Sequence, residues 1–214
     1  MGAVRMKKIK ICGITDRKEV EYLNEAGVDY AGFVLFFPKS RRNIGTGKAK
    51  ELLSHLDSRI RSVAVVVEPT GEQLLEIEAA GFDLVQIHGE VAEEVLSGLS
   101  LPVLKAFNVS DLSEFERYER IDNVAGYVFD AQIPGSGKVF DWSMLGKLPR
   151  TDKLTLLAGG LDASNVGEAL AAVEVDGVDT SSGVERADGA GKDPEKVRGF
   201  VEAVRRGTRE KRLS

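Results

Sequence analysis

Residues 8–15, Lys8-Ile9-Lys10-Ile11-Cys12-Gly13-Ile14-Thr15, alternate polar and apolar side chains and then turn at Gly13. Such alternation predicts a β-strand, and the glycine that follows it predicts a turn. A helical pattern begins at Asp16, and either Thr15 or Asp16 is a suitable N-cap for it. The only cysteine of the chain, Cys12, is therefore expected where the first strand ends and the chain turns into a helix.

The same succession of strand and helix patterns continues to the end of the chain. The predicted strands after the first are Tyr30–Phe37, Arg61–Val67, Leu84–His88, Pro102–Phe107, Val124–Asp130, Leu154–Ala158 and one that ends at Val178 and Asp179. The predicted helices are 17–26, 47–56, the segment from Thr70 to Ala80, and 91–99, 110–120, 142–147, 163–173 and 194–206. Strict alternation predicts an α/β fold with a parallel sheet, and eight units predict a single (β/α)8 TIM barrel, in which helices ring eight parallel strands.

No linker or low-complexity stretch divides the 214 residues, so we expect one barrel domain over 1–207. Residues 208–214 are mostly charged and are expected to form a frayed C-terminal tail. Both Met1 and Met6 stay open as the native start.

Composition narrows the class of function. The formal net charge of −5 argues against a nucleic-acid-binding protein, because such proteins present a basic field. One cysteine permits no internal disulfide, which fits a reducing compartment. No apolar run reaches the roughly 20 residues of a membrane span, and the polar N-terminus does not resemble a secretory signal. These features predict a cytoplasmic protein that contacts neither membrane nor nucleic acid.

Two loops rich in small residues follow the last two predicted strands. They are Gly159-Gly160 and Ser181-Ser182-Gly183. Small residues allow backbone N–H groups to approach an anion, and the loops after strands seven and eight of such barrels often bind phosphate. Either loop alone would be read as an ordinary turn, but the two together favour a phosphate site.

A thiol and a carboxyl group end two of the predicted strands, at Cys12 and Asp130. On one face of a barrel, such a pair can act as general base and general acid. The thiol must be deprotonated for that role. Spacing alone leaves the alternatives open, because a lone cysteine is often a small buried apolar residue and Asp130 could cap a loop.

Further candidates follow strands two and four. Lys39, Arg41 and Arg42 form a cationic cluster, and one arginine could clamp a carboxylate through two hydrogen bonds. A solvated basic loop is the alternative. His88 is a candidate acid or base by residue type, and a structural or substrate-lining role is the alternative. His55 is expected at the surface. No cluster has metal-ligand spacing.

Several motifs, in order along the chain, resemble those of the phosphoribosylanthranilate isomerases of tryptophan biosynthesis. The matching segments are Lys10-Ile11-Cys12-Gly13-Ile14-Thr15, Gly32-Phe33-Val34, Pro38-Lys39-Ser40 with Arg42, Gln86-Ile87-His88-Gly89, Gly135-Ser136-Gly137-Lys138 with Phe140-Asp141-Trp142, Ala158-Gly159-Gly160-Leu161, and Val178-Asp179 with Ser181-Ser182-Gly183-Val184-Glu185. The resemblance implies a (β/α)8 barrel that performs an Amadori rearrangement of phosphoribosylanthranilate without a cofactor.

The resemblance also implies residue roles. It assigns the general base to Cys12, the general acid to Asp130 and recognition of the anthranilate to Arg42. Phosphate binding falls on the two small-residue loops, at Gly159, Gly160, Ser182 and Gly183, and substrate contacts fall on His88 and Asp179. The run from Gly32 to Pro38 is one residue longer than the usual form of the family, which leaves open which of Arg41 and Arg42 points inward.

Two other functions remain as alternatives. One is a related sugar-phosphate isomerase of histidine biosynthesis, but those relatives have an aspartate where this chain has Cys12. The other is a catalytically silent barrel that binds a phosphorylated ligand or a partner enzyme, and the retention of both Cys12 and Asp130 argues against it. A monomer and a homodimer are both compatible with the sequence.

Overall fold

A closed barrel of eight parallel strands forms the centre of the computed structural model, which describes residues 6–130 and 149–210. The strands follow one another around the barrel in chain order, and the last pairs with the first. They are β1 (Lys8–Cys12), β2 (Tyr30–Val34), β3 (Arg61–Val67), β4 (Leu84–His88), β5 (Val103–Asn108), β6 (Val124–Asp130), β7 (Leu154–Ala158) and β8 (Gly177–Thr180). The prediction of a (β/α)8 barrel is confirmed.

Helices connect the strands on the outside of the barrel. The described part of the chain contains α1 (Arg17–Ala26), α2 (Thr46–Leu53), α3 (Gly71–Ala80), α4 (Glu93–Ser97), α5 (Phe115–Glu119), α6 (Val166–Ala172) and α7 (Pro194–Glu210), with a 3₁₀ turn at Ser182–Val184. The helix predicted over 142–147 and the loop before it lie outside the described residues. Within the described ranges, no helix has both the length and the apolar character that crossing a membrane requires.

The first and third helices begin as their sequences predict. The Asp16 side chain accepts a hydrogen bond from the backbone N–H of Lys18, and Glu19 completes a capping box at the start of α1. Thr70 and Gln73 form the same motif at α3. Gly27 ends α1 with a φ of 65°, in the left-handed region that glycine adopts without a steric penalty.

Five predicted elements are shorter in the structure, namely β2, α2, α4, α5 and α6, and local backbone geometry explains two of them, β2 and α5. α2 ends at Leu53 and not at Leu56, and α6 spans Val166–Ala172 and not 163–173. β2 ends at Val34 instead of Phe37, because Phe36 has a φ of 56° and leaves the extended conformation. α5 begins at Phe115 instead of Ser110. The side chains of Asn108 and Asp111 accept hydrogen bonds from backbone N–H groups two residues on, which stabilises turns in competition with the helix. The fourth helix is confined to Glu93–Ser97.

Alternation along the strands produces two apolar layers. Ile9 and Ile11 of β1 belong to the large cluster between strands and helices. The opposite face of the strands lines the barrel interior, which is filled by Tyr30, Val63, Val65, Leu84, Leu104, Ala106, Val128, Leu156 and Ala158. Lys10 and Cys12 alternate with the two isoleucines and therefore point into the interior. The first strand thus carries a lysine and a thiol into a largely apolar layer, in which Gln86 and Asp179 are also buried.

Candidate active site

A pocket of about 570 Å³ opens at the carboxyl ends of the strands. It is lined by Cys12, Val34, Phe37, Ser40, Arg42, Val65, Val67, Gln86, His88, Val128, Asp130, Ala158, Gly159, Gly160, Asp179, Thr180, Ser181 and Ser182. Every predicted site residue except Gly183 lies in this lining. This end of a TIM barrel is where active sites are built, because the loops after all eight strands converge there.

Cys12 and Asp130 both face this pocket, from the ends of β1 and β6. Each is half-buried, so each is open to a ligand while still held by its strand. The Ser181 hydroxyl donates a hydrogen bond of 2.9 Å to the carbonyl oxygen of Cys12, which ties the loop after β8 to the end of β1. The thiol and the carboxyl group that the sequence predicts as a pair therefore meet in one cavity.

Gly32 on β2 makes room for the thiol. A Cβ atom at this position would lie 2.9 Å from Sγ of Cys12 and 3.1 Å from Nζ of Lys10. Both distances are shorter than ordinary van der Waals contacts, so any larger residue would displace these two side chains. This requirement is invisible in the sequence, where Gly32 appears only as an interior position of a strand.

Beneath Cys12 lies a buried ion pair that residue-by-residue reasoning did not predict. Nζ of Lys10 is 3.0 Å from Oδ2 of Asp179, and Lys10 has no exposed surface. Burial lowers the pKa of Lys10, but Asp179 and Cys12 outweigh it, and the net result is a pKa above the ordinary value. Lys10 therefore supplies a fixed positive charge to the floor of the pocket.

Asp179 is the other half of this pair and faces the pocket. Burial raises the pKa of its carboxyl against the attraction of Lys10, and the charge of Asp130 raises it further. Its second oxygen, Oδ1, has no hydrogen-bond partner within residues 6–130 and 149–210. A buried acceptor of this kind is costly to leave unpaired.

Arg42 is the arginine that lines the pocket, whereas Arg41 is largely exposed, with 57% of its side-chain surface accessible. Nε of Arg42 donates a 2.6 Å hydrogen bond to Oε1 of Glu185, and Arg41 binds the other carboxylate oxygen. A side chain at Gly13 would overlap Cδ of Arg42, so this glycine lets the arginine lie across the end of β1. The geometry thus resolves which of the two arginines points inward.

Glu185 belongs to the sequence motif after β8, which predicts no role for it, yet its carboxylate connects three cationic side chains on this side of the site. It binds Arg41, Arg42 and, at 3.2 Å, Nζ of the buried Lys192. Burial raises the pKa of Glu185, but Arg42 and Lys192 outweigh it and hold that pKa below its usual range. Lys192 also donates to the backbone oxygen of Ser181 at 3.0 Å. The network joins the loop after β2 to the loop after β8.

The two small-residue loops lie side by side at the pocket edge. Gly159 and Gly160 have φ values of 106° and 67°, a region that side-chain-bearing residues rarely adopt. A Cβ atom at Gly183 would overlap the backbone oxygen of Leu161, so only glycine permits this close approach of the loops. The hydroxyl of Thr180 also donates to that oxygen, at 2.5 Å. Phosphate binding here stays a prediction.

His88 lines the pocket beside Gln86, and their side-chain nitrogens lie 2.8 Å apart. Burial lowers the pKa of His88 to about 4, and the charges of Lys10 and Lys105 contribute. The ring is therefore neutral near pH 7. A neutral imidazole has one donor and one acceptor nitrogen, so His88 can both donate and accept hydrogen bonds. His55 is exposed, as predicted.

Within the described ranges, no group of three or more His, Cys, Asp and Glu side chains is placed to hold a metal ion. The groups that the pocket does contain are a thiol, two carboxyl groups, a neutral imidazole and a guanidinium. These groups can transfer protons and bind anions.

Residues 9–203 match the family model described as N-(5'phosphoribosyl)anthranilate (PRA) isomerase. The chain belongs to this family. A curated relative from Streptococcus gordonii named N-(5'-phosphoribosyl)anthranilate isomerase is 40% identical, over 94% of this chain and the whole of the relative. A relative of the same name from Moorella thermoacetica is 37% identical, over 94% of this chain and 91% of the relative. The protein is accordingly an isomerase.

Solved structures of the family share the fold. The phosphoribosyl anthranilate isomerase of Thermotoga maritima superposes with a TM-score of 0.81 and 34% identity, over 93% of this chain and 98% of that one. A second structure, at a TM-score of 0.78 and 31% identity over the same shares of the two chains, holds reduced 1-(o-carboxyphenylamino)-1-deoxyribulose 5-phosphate. The similarity therefore extends over nearly the whole barrel.

Proposed function

We propose that the pocket catalyses the Amadori rearrangement of N-(5-phosphoribosyl)anthranilate to 1-(2-carboxyphenylamino)-1-deoxyribulose 5-phosphate, with Cys12 as general base and Asp130 as general acid. The observation that carries this proposal is the meeting of Cys12, Asp130 and Arg42 with the two glycine loops in one cavity. The bound compound in the 31% identical structure has the skeleton of this product, which supports the same assignment.

The reaction is an internal redox shift that proton transfers alone can accomplish. Asp130, in its protonated form, donates a proton to the ribose ring oxygen, and the C1′–O bond breaks to give a Schiff base. The Cys12 thiolate then removes the proton from C2′, and the resulting enolamine tautomerises to the ketone. One proton is given and one is taken, so the step balances without a cofactor. Each group is expected to contribute on the order of 10²–10⁴ in rate.

The remaining side chains orient the substrate. Arg42 uses Nε on Glu185, which directs its terminal nitrogens to the anthranilate carboxylate. The loops at Gly159–Gly160 and Ser182–Gly183 bind the phosphate through backbone N–H groups. Asp179 and His88 contact the substrate from the pocket wall, which both residues line.

A direct assay tests the assignment. The purified protein should consume phosphoribosylanthranilate, followed by loss of anthranilate fluorescence, and should leave the aminoimidazole substrate of the related histidine-pathway isomerase unchanged. Absence of turnover with phosphoribosylanthranilate would contradict the proposal. Turnover of both substrates would replace it with a broader sugar-phosphate isomerase.

We propose further that residues 1–207 form one domain followed by a charged tail, although α7 itself runs to Glu210. The protein is expected in the cytoplasm as a monomer or a homodimer. A 32% identical solved structure is that of monomers generated from the dimeric isomerase of Thermotoga maritima. Light scattering on the purified chain decides between the two states.

A further inference from the structure

Lys10 is a buried charge in a barrel interior that is filled largely by apolar side chains. Its side chain has no exposed surface, and the buried side chains of Asp179 and Gln86 are polar groups in the same interior. A buried ion pair contributes little stability compared with well-packed apolar side chains, because both charges lose their hydration. The pair of Lys10 with Asp179 therefore calls for an explanation other than the stability of the barrel.

The geometry relates Lys10 to the proposed base. Lys10 and Cys12 are two residues apart on β1, so their side chains point to the same face of the strand. Both side chains lie close to Gly32. A Cβ atom added to this glycine would be 3.1 Å from Nζ of Lys10 and 2.9 Å from Sγ of Cys12. The ammonium and the thiol are thus within about 6 Å of each other, the range over which an opposite charge stabilises an ionised group.

We propose that Lys10 is the positioning residue whose fixed positive charge keeps Cys12 available as a thiolate in a pocket that also holds two carboxyl groups. This inference rests on the proposed role of Cys12. Asp179 and Asp130 both line the pocket, so two carboxyl groups share the cavity with the thiol. The Lys10 ammonium lies within about 6 Å of the sulfur and supplies the opposite charge. Asp179 holds this ammonium in place through the 3.0 Å contact.

Among the described residues, Lys192 interacts electrostatically with the thiol and Arg42 lines the same pocket, but both are engaged elsewhere. Lys192 is buried, donates to the backbone and hydroxyl oxygens of Ser181 and pairs with Glu185. Burial lowers the pKa of Lys192, whereas Glu185 and Cys12 raise it and Arg42 lowers it further. Arg42 pairs with the same Glu185 carboxylate. By contrast, the pKa of Lys10, lowered by burial but raised by Asp179 and then Cys12, lies above its ordinary value.

Because the chain has one cysteine, its ionisation can be followed without a substrate. The alkylation rate with iodoacetamide is measured from about pH 5 to about pH 10 for the wild type, Lys10→Met and Lys8→Met, since only the thiolate reacts. Lys8 is the matched control, as it lies on the same strand but pairs with Asp29 and is 48% exposed. We expect the half-maximal pH to rise by about one to three units in Lys10→Met and to stay constant in Lys8→Met.

The pH dependence of kcat should follow the ionisation of the Cys12 thiol. The acidic limb of the kcat profile should move upward in Lys10→Met by the same interval as the alkylation curve, with the KM for phosphoribosylanthranilate changed less than threefold, that is, by less than about 0.7 kcal/mol. A purely structural role for Lys10 would change yield and melting temperature but leave both pH curves in place. That result would overturn the inference, as would an equal shift in Lys8→Met.

Lys10→Gln is the second variant in case Lys10→Met does not fold, because its amide can still donate to Asp179 while carrying no charge. Circular dichroism establishes folding for each protein. Turnover of Cys12→Ala, compared with the alkylation curves of the Lys10 variants, separates this inference from the proposed function. If Cys12→Ala retained turnover, the role of the base would fail whatever the Lys10 variants do. If Cys12→Ala is inactive and the Lys10 variants titrate as the wild type does, only the role of Lys10 fails.

Discussion

At the scale of single residues, the chemistry depends on placing groups of opposite function in one small cavity. Cys12 and Asp130 are each half-buried, which leaves them open to substrate but shields them from bulk water. His88 shows how strongly this environment acts, since burial and two neighbouring ammonium groups keep its ring neutral. Identical residues on the protein surface would not acquire these properties.

Cys12→Ala and Asp130→Asn should each reduce kcat by about 10²–10⁴, because each removes one of the two proton-transfer groups. Affinity for a reduced product analogue should stay close to the wild-type value, since neither group is assigned to binding. Fluorescence kinetics and calorimetric titration measure the two quantities. His55→Gln, at an exposed position, serves as the control. Normal turnover in both active-site variants would remove these two residues from the mechanism.

His88 should make the protein less stable in acid. The folded state lowers its pKa from 6.5 to about 4, so the neutral ring stabilises the fold fully above about pH 6.5 and progressively less as the pH falls toward 4. The contribution is at most about 3 kcal/mol. Chemical denaturation at pH 7 and pH 5 should show a smaller loss of unfolding free energy for His88→Gln than for the wild type. His55→Gln should match the wild type. If His88→Gln lost as much unfolding free energy between pH 7 and pH 5 as the wild type does, this account would be contradicted.

At the scale of elements, the site depends on contacts between loops that follow different strands. Glu185, after β8, holds Arg42 from the loop after β2 and Lys192 from the segment before α7. The loops after β7 and β8 approach so closely that Gly183 has no space for a side chain. The strands determine where each loop begins, and these few contacts determine how the loops lie against one another.

Glu185→Gln should raise the KM for phosphoribosylanthranilate more than it lowers kcat, because the arginine that binds the carboxylate loses its ionic partner. Unfolding should become easier by about 3 kcal/mol, since Lys192 would be left as a buried charge without its carboxylate. Glu195→Gln is the control, as Glu195 pairs with Arg198 at the surface and should matter by less than about 0.5 kcal/mol. Steady-state kinetics and urea denaturation distinguish the two variants.

Gly183→Ala should push the loops after β7 and β8 apart, because the new methyl group would overlap the backbone oxygen of Leu161. We expect a loss of about 1–3 kcal/mol in stability and weaker inhibition by inorganic phosphate. Gly167→Ala lies within α6 with open space around its Cβ position and should be neutral or stabilising by up to about 1 kcal/mol. Equal behaviour of the two variants would show that the close approach of the loops is unimportant.

At the scale of the whole molecule, the order of elements follows directly from patterning. The predicted bounds of β3, β6 and β7 agree with the structure, since each is an apolar run closed by a clear turn or polar residue. α5 is shorter than predicted because Asn108 and Asp111 accept hydrogen bonds from the backbone N–H groups of Ser110 and Ser113, and propensity alone does not reveal that competition. α7 continues to Glu210, beyond its predicted end near Arg206.

The sequence by itself determined the barrel and the glycine loops. It also determined that Cys12 and Asp130 lie at the carboxyl ends of their strands, beside those loops. These features depend on periodicity and on residue type, which are local properties. Only the tertiary structure decided that Arg42 and not Arg41 faces the pocket, that Glu185 holds it, and that Lys10 lies under Cys12 in contact with Asp179. These contacts join residues far apart in the chain, and they exist because β8 closes the barrel against β1.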